Sequence, residues 1–259
     1  MTEVPELTVE NLTVRFAGIV ALDAVSFAVA PGTLHAVIGP NGAGKSTCFN
    51  VLSGVYRATS GRVTFGGHEL TSMAPHKVGE LGIARTFQNL ALSPMLTVED
   101  NLMTGRHRLM RSGFVRSGLR WPSAVREERL HRDRAREIAE FAGIGKKLAH
   151  PVGALPYGDQ KRVELARALC GEPRLLMLDE PVAGMNATER HEMAELIVTV
   201  RESLGISILL VEHDMGLVMR LADHVTVLDF GRLIASGTPA EVQNDPEVLR
   251  AYLGEEAAS

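Results

Sequence analysis

Apolar and polar residues alternate along Leu7–Phe16 and again along Ala24–Ala30, and the second run stops at the turn Pro31-Gly32. A period of two sends successive side chains to opposite faces, so this stretch predicts an antiparallel β start. The texture changes at Leu34 to Ile38, where the apolar run is unbroken and predicts a strand buried on both faces. Thr47 to Leu52 then reads as a helix, and Arg62–Phe65 as a strand closed by Gly66-Gly67. Pro75–Leu81 reads as a short helix and Ile83–Phe87 as a short strand ending at Gln88.

From Thr97 to about His150 the pattern becomes helical and polar. Thr97-Val98-Glu99-Asp100 resembles a capping box opening one helix, and a second helix spans Ser123 to Phe141, closed by Gly143 and Gly145. Between them Arg111–Pro122, rich in Gly, Ser and Arg, reads as a flexible link. Beyond this region strands and helices alternate. Asp159–Cys170 reads as helix, Arg174–Leu178 as strand, Ala187–Ser203 as helix and Ile206–Val211 as strand. Met215–Ala222 is helical, His224–Asp229 a strand, and Gly231–Gly237 closes a hairpin, with Glu255–Ser259 expected to fray. Such alternation implies a parallel sheet covered on both faces. The expected organisation is an α/β core of residues 1–88 and 159–259, interrupted by a helical insert at 89–158.

The predicted strand Leu34–Ile38 delivers Gly39-Pro40-Asn41-Gly42-Ala43-Gly44-Lys45-Ser46, a G-x-x-x-x-G-K-[ST] loop between strand and helix. Glycines let the backbone curl its N–H groups around a phosphate, and the new helix adds the positive end of its dipole. Lys45 can reach the β- and γ-phosphates, and the Ser46 hydroxyl can ligate Mg²⁺, so the chain is expected to bind a nucleoside triphosphate. A second strand, Leu175 to Leu178, leads to Asp179 and Glu180. Ligands of such sheets sit beyond the carboxyl ends of strands, where Asp179 can hold Mg²⁺ and Glu180 can take a proton from an attacking water. A third apolar strand delivers Glu212-His213-Asp214 to the same edge. His213 there is either a satisfied structural residue or a group that contacts the γ-phosphate. Gln88, where the insert begins, can touch Mg²⁺ or water while moving with the insert.

Composition narrows the partners. A net charge of −4 and a pI near 6.2 argue against a general nucleic-acid binder. Arginines crowd the insert (among them Arg106, Arg108, Arg116, Arg126, Arg132 and Arg136), and Glu127, Glu128, Asp133 and Glu137 stand at pairing distances. That face is either solvated and paired or a surface for nucleic acid or lipid headgroups. The two cysteines, Cys48 and Cys170, predict no structural disulfide and a reducing cytoplasm. With no export signal and no long apolar run, a role at a bilayer requires docking on a protein that crosses it.

GPNGAGKST, Gln88 within Arg85-Thr86-Phe87-Gln88-Asn89, Leu155-Pro156-Tyr157-Gly158-Asp159-Gln160, Asp179-Glu180-Pro181 and Glu212-His213-Asp214 follow the order of an ABC-type ATPase. The chain resembles the nucleotide-binding subunits of ABC transporters over nearly its whole length. The likeness implies a P-loop core of mixed sheet with an N-terminal antiparallel part and a helical subdomain. It assigns Gly39 to Thr47 (Gly39, Pro40, Asn41, Gly42, Ala43, Gly44, Lys45, Ser46, Thr47) to the Walker A loop. Asp179 stands as the Walker B aspartate, Glu180 as the catalytic carboxylate, His213 as the switch histidine and Gln88 as the Q-loop glutamine. Residues 155–160 stand where the signature motif belongs, which in the family closes over ATP bound to the opposite subunit. The likeness therefore places Pro156, Tyr157, Gly158 and Asp159 against nucleotide. Two positions depart from the pattern: Pro156 replaces the usual Ser, and the D-loop Ala183–Asn186 ends in Asn rather than Asp. Phe16 occupies the place of the aromatic that stacks on adenine, a buried strand Phe being the alternative.

The run Asn89–Leu102, the arginine-bearing insert and Asp245–Gly254 are similar to the branched-chain amino-acid uptake subfamily, a tail that importers of amides or urea share. The resemblance implies ATP and Mg²⁺ as cofactors and a second nucleotide-binding subunit, a copy or a paralogue. It also implies transmembrane permease subunits, indirectly an extracytoplasmic solute-binding protein, no nucleic acid, and a peripheral location on the inner face of the cell membrane. The competing class is a soluble ABC ATPase of the cluster-assembly type.

Overall fold

The computed structural model describes residues 4–86, 90–110 and 122–256. Its strands are β1 (Leu7–Phe16), β2 (Ile19–Val29), β3 (Leu34–Ile38), β4 (Ser60–Phe65) and β5 (His68–Glu69). They continue with β6 (Ile83–Arg85), β7 (Leu175–Asp179), β8 (Ser207–Val211), β9 (His224–Asp229) and β10 (Arg232–Gly237). The helices are α1 (Lys45–Leu52), α2 (Pro75–Glu80), α3 (Val98–Arg106), α4 (Pro122–Phe141) and α5 (Tyr157–Cys170). After them come α6 (Ala187–Leu204), α7 (Met215–Leu221), α8 (Pro239–Gln243) and α9 (Pro246–Glu256).

Two compact units divide the chain, one of Met1–Arg85, Arg174–Glu180 and Ile197–Ser259, the other of Thr86–Pro173 and Pro181–Leu196. The first carries two sheets. One is antiparallel, in the order β2-β1-β4-β5, and the other runs β10-β9-β3-β8-β7-β6. In the second sheet β9, β3, β8, β7 and β6 are parallel, and β10 closes the edge as an antiparallel hairpin with β9. The alternation predicts an antiparallel start and a parallel sheet, and both are present as separate sheets; the family likeness implied them as one mixed core.

Strand periodicity explains why the parallel sheet is covered twice. Val37 of β3, Leu209 of β8 and Met177 of β7 join Phe49 of α1 and Phe65 of β4 in one core. Ala36 and Ile38, one residue away along β3, turn to the other face and meet Val218 of α7, Val242 of α8 and Val248 of α9.

Local differences from the sequence pattern have identifiable causes. β2 begins at Ile19 rather than Ala24 because register shifts in the β1–β2 pairing break the alternation, and Ala24 itself has φ 52°. α1 starts at Lys45, two residues earlier than the apolar pattern suggests, because Gly44 caps it in a left-handed conformation. β7 runs to Asp179, so the carboxylate belongs to the strand end itself.

In the second unit α3, α4 and α5 pack together, burying Val98, Leu102, Ala135, Ala139, Val163 and Ala166. Thr97 caps α3 as expected, its hydroxyl oxygen accepting from the Asp100 N–H at 3.1 Å. α5 begins at Tyr157, not Asp159, and together with the head of α6 it belongs to this unit, which is wider than the 89–158 span expected from the sequence. On α4 three arginines are paired: Arg132 with Glu99 and Glu128, Arg136 with Glu99 and Asp133, and Arg134 with Glu137. Among these residues the charge run is a salt-bridged helix face. Of the predicted link Arg111–Pro122, residues 111–121 lie outside the described residues, as do Gln88 and residues 257–259, while Pro122 opens α4 instead.

Candidate functional site

Parallel pairing brings the first unit's chemistry to one edge. Val37 of β3 pairs with Val211 of β8, and Val211 pairs with Asp179 of β7. Three strands therefore end level, and their continuations emerge side by side: the loop from Gly39, the segment from Glu212, and Glu180. This is the carboxyl edge at which open α/β sheets bind ligands.

Gly39, Gly42 and Gly44 have φ of 147°, 79° and 103°. A side chain at Gly39 would run into the Leu228 carbonyl, and one at Gly44 would lie 2.7 Å from the Ala21 carbonyl oxygen. Only glycine permits that path. α1 has no side-chain cap at its N-terminus, leaving its first N–H groups to an anion. Lys45 is only 6% exposed, and its ammonium donates to the Gly39 and Pro40 carbonyls at 2.6 and 2.8 Å. Ser46, next along, is exposed. The loop is thus preformed, with a cation held inside it.

Glu180 leaves β7 with φ 49°, a strained value for a residue with a side chain, fixed by its N–H donating to the Val211 carbonyl at 2.9 Å. That turn sends its carboxylate to His213, whose Nε2 lies 2.5 Å from Oε1. His213 is itself oriented from below: its backbone N–H donates to the buried Glu212 carboxylate at 3.1 Å, and Asp214 caps α7 by accepting from the Leu217 N–H at 3.0 Å. Asp179 is buried and bridged by Arg85, with Nη2 to Oδ2 at 2.8 Å. Glu212 and Arg85 are the two groups sequence reading passes over. Their signal was a charged residue directly beside a buried apolar strand, where an unpaired charge is costly.

Phe16 closes β1 at 42% exposure, so it is not a buried strand residue, and its ring meets Tyr56 edge-on with centroids 5.2 Å apart. An exposed, braced aromatic face suits a base. The oxygen donors Ser46 and Asp179 fit Mg²⁺, a hard cation that keeps waters and phosphate oxygens as its other ligands. Cys48, beneath the loop, is buried and its thiol is pushed up to about 12, which keeps it uncharged.

The second unit gathers a separate set. Pro156 caps α5 without a side-chain hydrogen bond, and its carbonyl accepts from the Gln160 N–H at 3.1 Å. Tyr157 packs its ring against Gly184, and Lys147 pairs with Asp159. A side chain at Gly158 would stand 2.8 Å from Glu189 Oε1. Asn186 and Glu189 form a reciprocal cap on α6: Asn186 Oδ1 accepts from the Glu189 N–H and Glu189 Oε2 from the Asn186 N–H, each at 3.0 Å. A cavity of about 280 Å³ lies here, lined by Pro156, Gly158, Asp159, Lys147, Arg162 and Glu189 among others.

Comparison with known proteins shows the family of the chain and its fold. Residues 22–183 match the ABC transporter family model, and 232–258 match that of the branched-chain amino acid ATP-binding cassette transporters. The chain is 39% identical to the high-affinity branched-chain amino acid transport ATP-binding protein BraF of Pseudomonas aeruginosa, covering 97% of this chain and 98% of the relative. It is 40% identical to the corresponding protein LivG of Salmonella typhimurium, with the same coverage. A crystal structure of the ADP conformation of an ATP-binding cassette of an ABC transporter superposes with a TM-score of 0.84 at 33% identity, covering 97% of this chain and 99% of that one.

Proposed function

The chain belongs to the ABC transporter family, among its branched-chain amino acid transport ATP-binding proteins, and from that premise we propose a division of labour among its residues. Members of the family bind nucleotide and hydrolyse ATP. Lys45 and the N–H groups of Gly39 to Thr47 hold the phosphates, Phe16 takes the adenine face, and Ser46 and Asp179 hold Mg²⁺. Bound Mg²⁺ would neutralise charge on the phosphate oxygens. Glu180 receives the proton of the attacking water, and His213, with its proton on Nε2, holds the Glu180 carboxylate in place. Gln88, which precedes the insert in sequence, is the proposed side chain for Mg²⁺ or the attacking water. Pro156, Tyr157, Gly158 and Asp159 meet the nucleotide of a second subunit.

The observation that carries this reading is the 2.5 Å contact between His213 and Glu180, made by two strand ends in register beside a preformed phosphate loop. Differential binding of ATP to a closed pair of subunits then supplies the work. Transmembrane permeases at the inner face of the membrane are the proposed partners, a reading supported by the transport names of the relatives. Among the described residues no helix is long and apolar enough to cross a membrane. Branched-chain amino acids are the proposed cargo. The match of 232–258 and the names of the relatives favour them over amides or urea and favour transport over cluster assembly.

Glu180→Gln tests the assignment. It should bind ATP like the wild type, lose about 10²–10⁴-fold in hydrolysis, and accumulate as a dimer in MgATP by light scattering. Hydrolysis at the wild-type rate would remove Glu180 from the role.

A further inference from the structure

Arg85 ends β6, in register with Met177 of β7, two residues ahead of Asp179 on the same side of the strand. From there its guanidinium reaches three acceptors. Nη2 donates to Asp179 Oδ2 at 2.8 Å, and Nη1 donates to Asn50 Oδ1 at 2.7 Å and to Ser53 Oγ at 2.9 Å. The same group lies 5.6 Å from the centre of the Phe49 ring. Both members of the ion pair are almost enclosed, with side chains 9% and 7% exposed. Asn50, Ser53 and Phe49 all belong to, or directly follow, α1, the helix whose first two residues are Lys45 and Ser46. One buried guanidinium thus joins the helix carrying the phosphate-loop cation to the strand end carrying the metal carboxylate.

The arrangement has two consequences. A buried arginine between two elements can serve packing alone, but then its charge need not meet Asp179 of all carboxylates. Second, the planar fork fixes direction as well as charge, which a lysine at the same place cannot do. Ligand groups around metals are held by such partners, and their loss typically lowers metal affinity about 10–100-fold. We propose that Arg85 is a positioning residue for the metal side of the nucleotide site. Acting through Asp179, it holds the carboxylate at a fixed place relative to α1 and so sets the divalent-cation dependence of nucleotide binding. This rests on the reading that Asp179 holds Mg²⁺ beside bound ATP.

The test measures binding of a fluorescent ATP analogue to the full chain, first in EDTA and then across a Mn²⁺ titration, with thermal melting alongside. Arg85→Lys should leave affinity in EDTA unchanged and raise the Mn²⁺ concentration for half-maximal tightening by about 10-fold or more. In an Asp179→Asn background the same substitution should add nothing, because its route is gone. Should Arg85→Lys fail to fold, the double variant Asn50→Ala/Ser53→Ala keeps the ion pair, removes its anchor on α1, and should shift the titration in the same direction by less. A folded variant with wild-type Mn²⁺ dependence, or a shift that persists without Asp179, overturns the proposal. Absence of any metal-dependent tightening in the wild type overturns instead the assignment of Asp179 to the metal, and Arg85's role falls with it.

Discussion

The unit built on sheets and the unit built on helices place their candidate groups by different means. At the sheet edge, position comes from the backbone: three strands end in register, Glu180 is turned by a hydrogen bond to Val211, and Gly39 and Gly44 of the phosphate loop lie against main-chain carbonyls. In the helical unit it comes from side chains, namely the Asn186–Glu189 cap and the Lys147–Asp159 and Arg162–Glu192 pairs. Main-chain scaffolding belongs to the core and yields only with it. Side-chain devices are local, partly solvated and worth about 1 kcal/mol each. The first unit should therefore be brittle to small steric changes, and the second adjustable.

Matched glycine substitutions put this to its severest trial. In Gly44→Ala the new methyl group meets the Ala21 carbonyl oxygen at 2.7 Å and Leu22 Cδ2 at 2.8 Å, at a φ of 103°. Backbone strain of about 1–2 kcal/mol and overpacking of about 1–3 kcal/mol sum to roughly 2–5 kcal/mol of lost stability, with nucleotide binding abolished. In Gly158→Ala the nearest atom is the far end of the Glu189 side chain, which can swing aside by giving up its hydrogen bond to the Asn186 N–H. Urea unfolding should show a cost of about 1 kcal/mol there, that of one lost cap leg, with no backbone strain added. Equal costs at the two positions would erase the distinction.

Acid should also find the sheet unit. His35 lies in β3, the strand that feeds the phosphate loop, with its Nε2 2.9 Å from Thr226 Oγ1. Burial, and then the neighbouring His224, lower its pKa to about 3. The unfolded chain takes up a proton near pH 6.5 while the folded one does so only near 3, so the neutral ring's contribution is complete above 6.5 and is lost as pH falls through that window. By pH 4 the loss is about 3 kcal/mol. In His35→Gln, stability plotted from pH 6 to pH 4 should fall less steeply than in the wild type, by about 1.4 kcal/mol per pH unit. Parallel slopes would show that His35 does not titrate on unfolding.

How far the residues announced all this also differs between the units. Strand alternation, the buried apolar runs and the phosphate loop are local signals, so the two-layered sheet and the places of Lys45, Asp179, Glu180 and His213 could be read directly. The start of β2 could not, since bulges against β1 break the period that reveals a strand. Arg85 and Glu212 were missed for another reason: their meaning depends on which strand lies next to which, and no window of sequence contains that. In the helical unit the cap on α3 was visible as a motif, whereas the pairing of Lys147 with Asp159 joins separate segments. Pattern reveals periodic elements and consecutive motifs, but pairings across elements wait for topology.

The smallest expected effect concerns the departure at Asn186, where the family's pattern has Asp. Its side-chain oxygen accepts from the Glu189 N–H, and its own N–H is taken by the Glu189 carboxylate, both at 3.0 Å. Asn and Asp cap helices about equally, so Asn186→Asp should alter stability by less than about 0.5 kcal/mol. Asn186→Ala removes one of the two legs and should cost about 1 kcal/mol, within the roughly 0.5–2 kcal/mol range for lost caps. Chemical denaturation of the three proteins in parallel ranks them, and only the order wild type and Asp together, Ala below, agrees with capping. A large loss in the Asp variant would mean that the second unit cannot accept another carboxylate beside Glu189. Placement there would then depend on charge balance rather than on the cap, and the adjustability attributed to that unit would have a limit set by electrostatics.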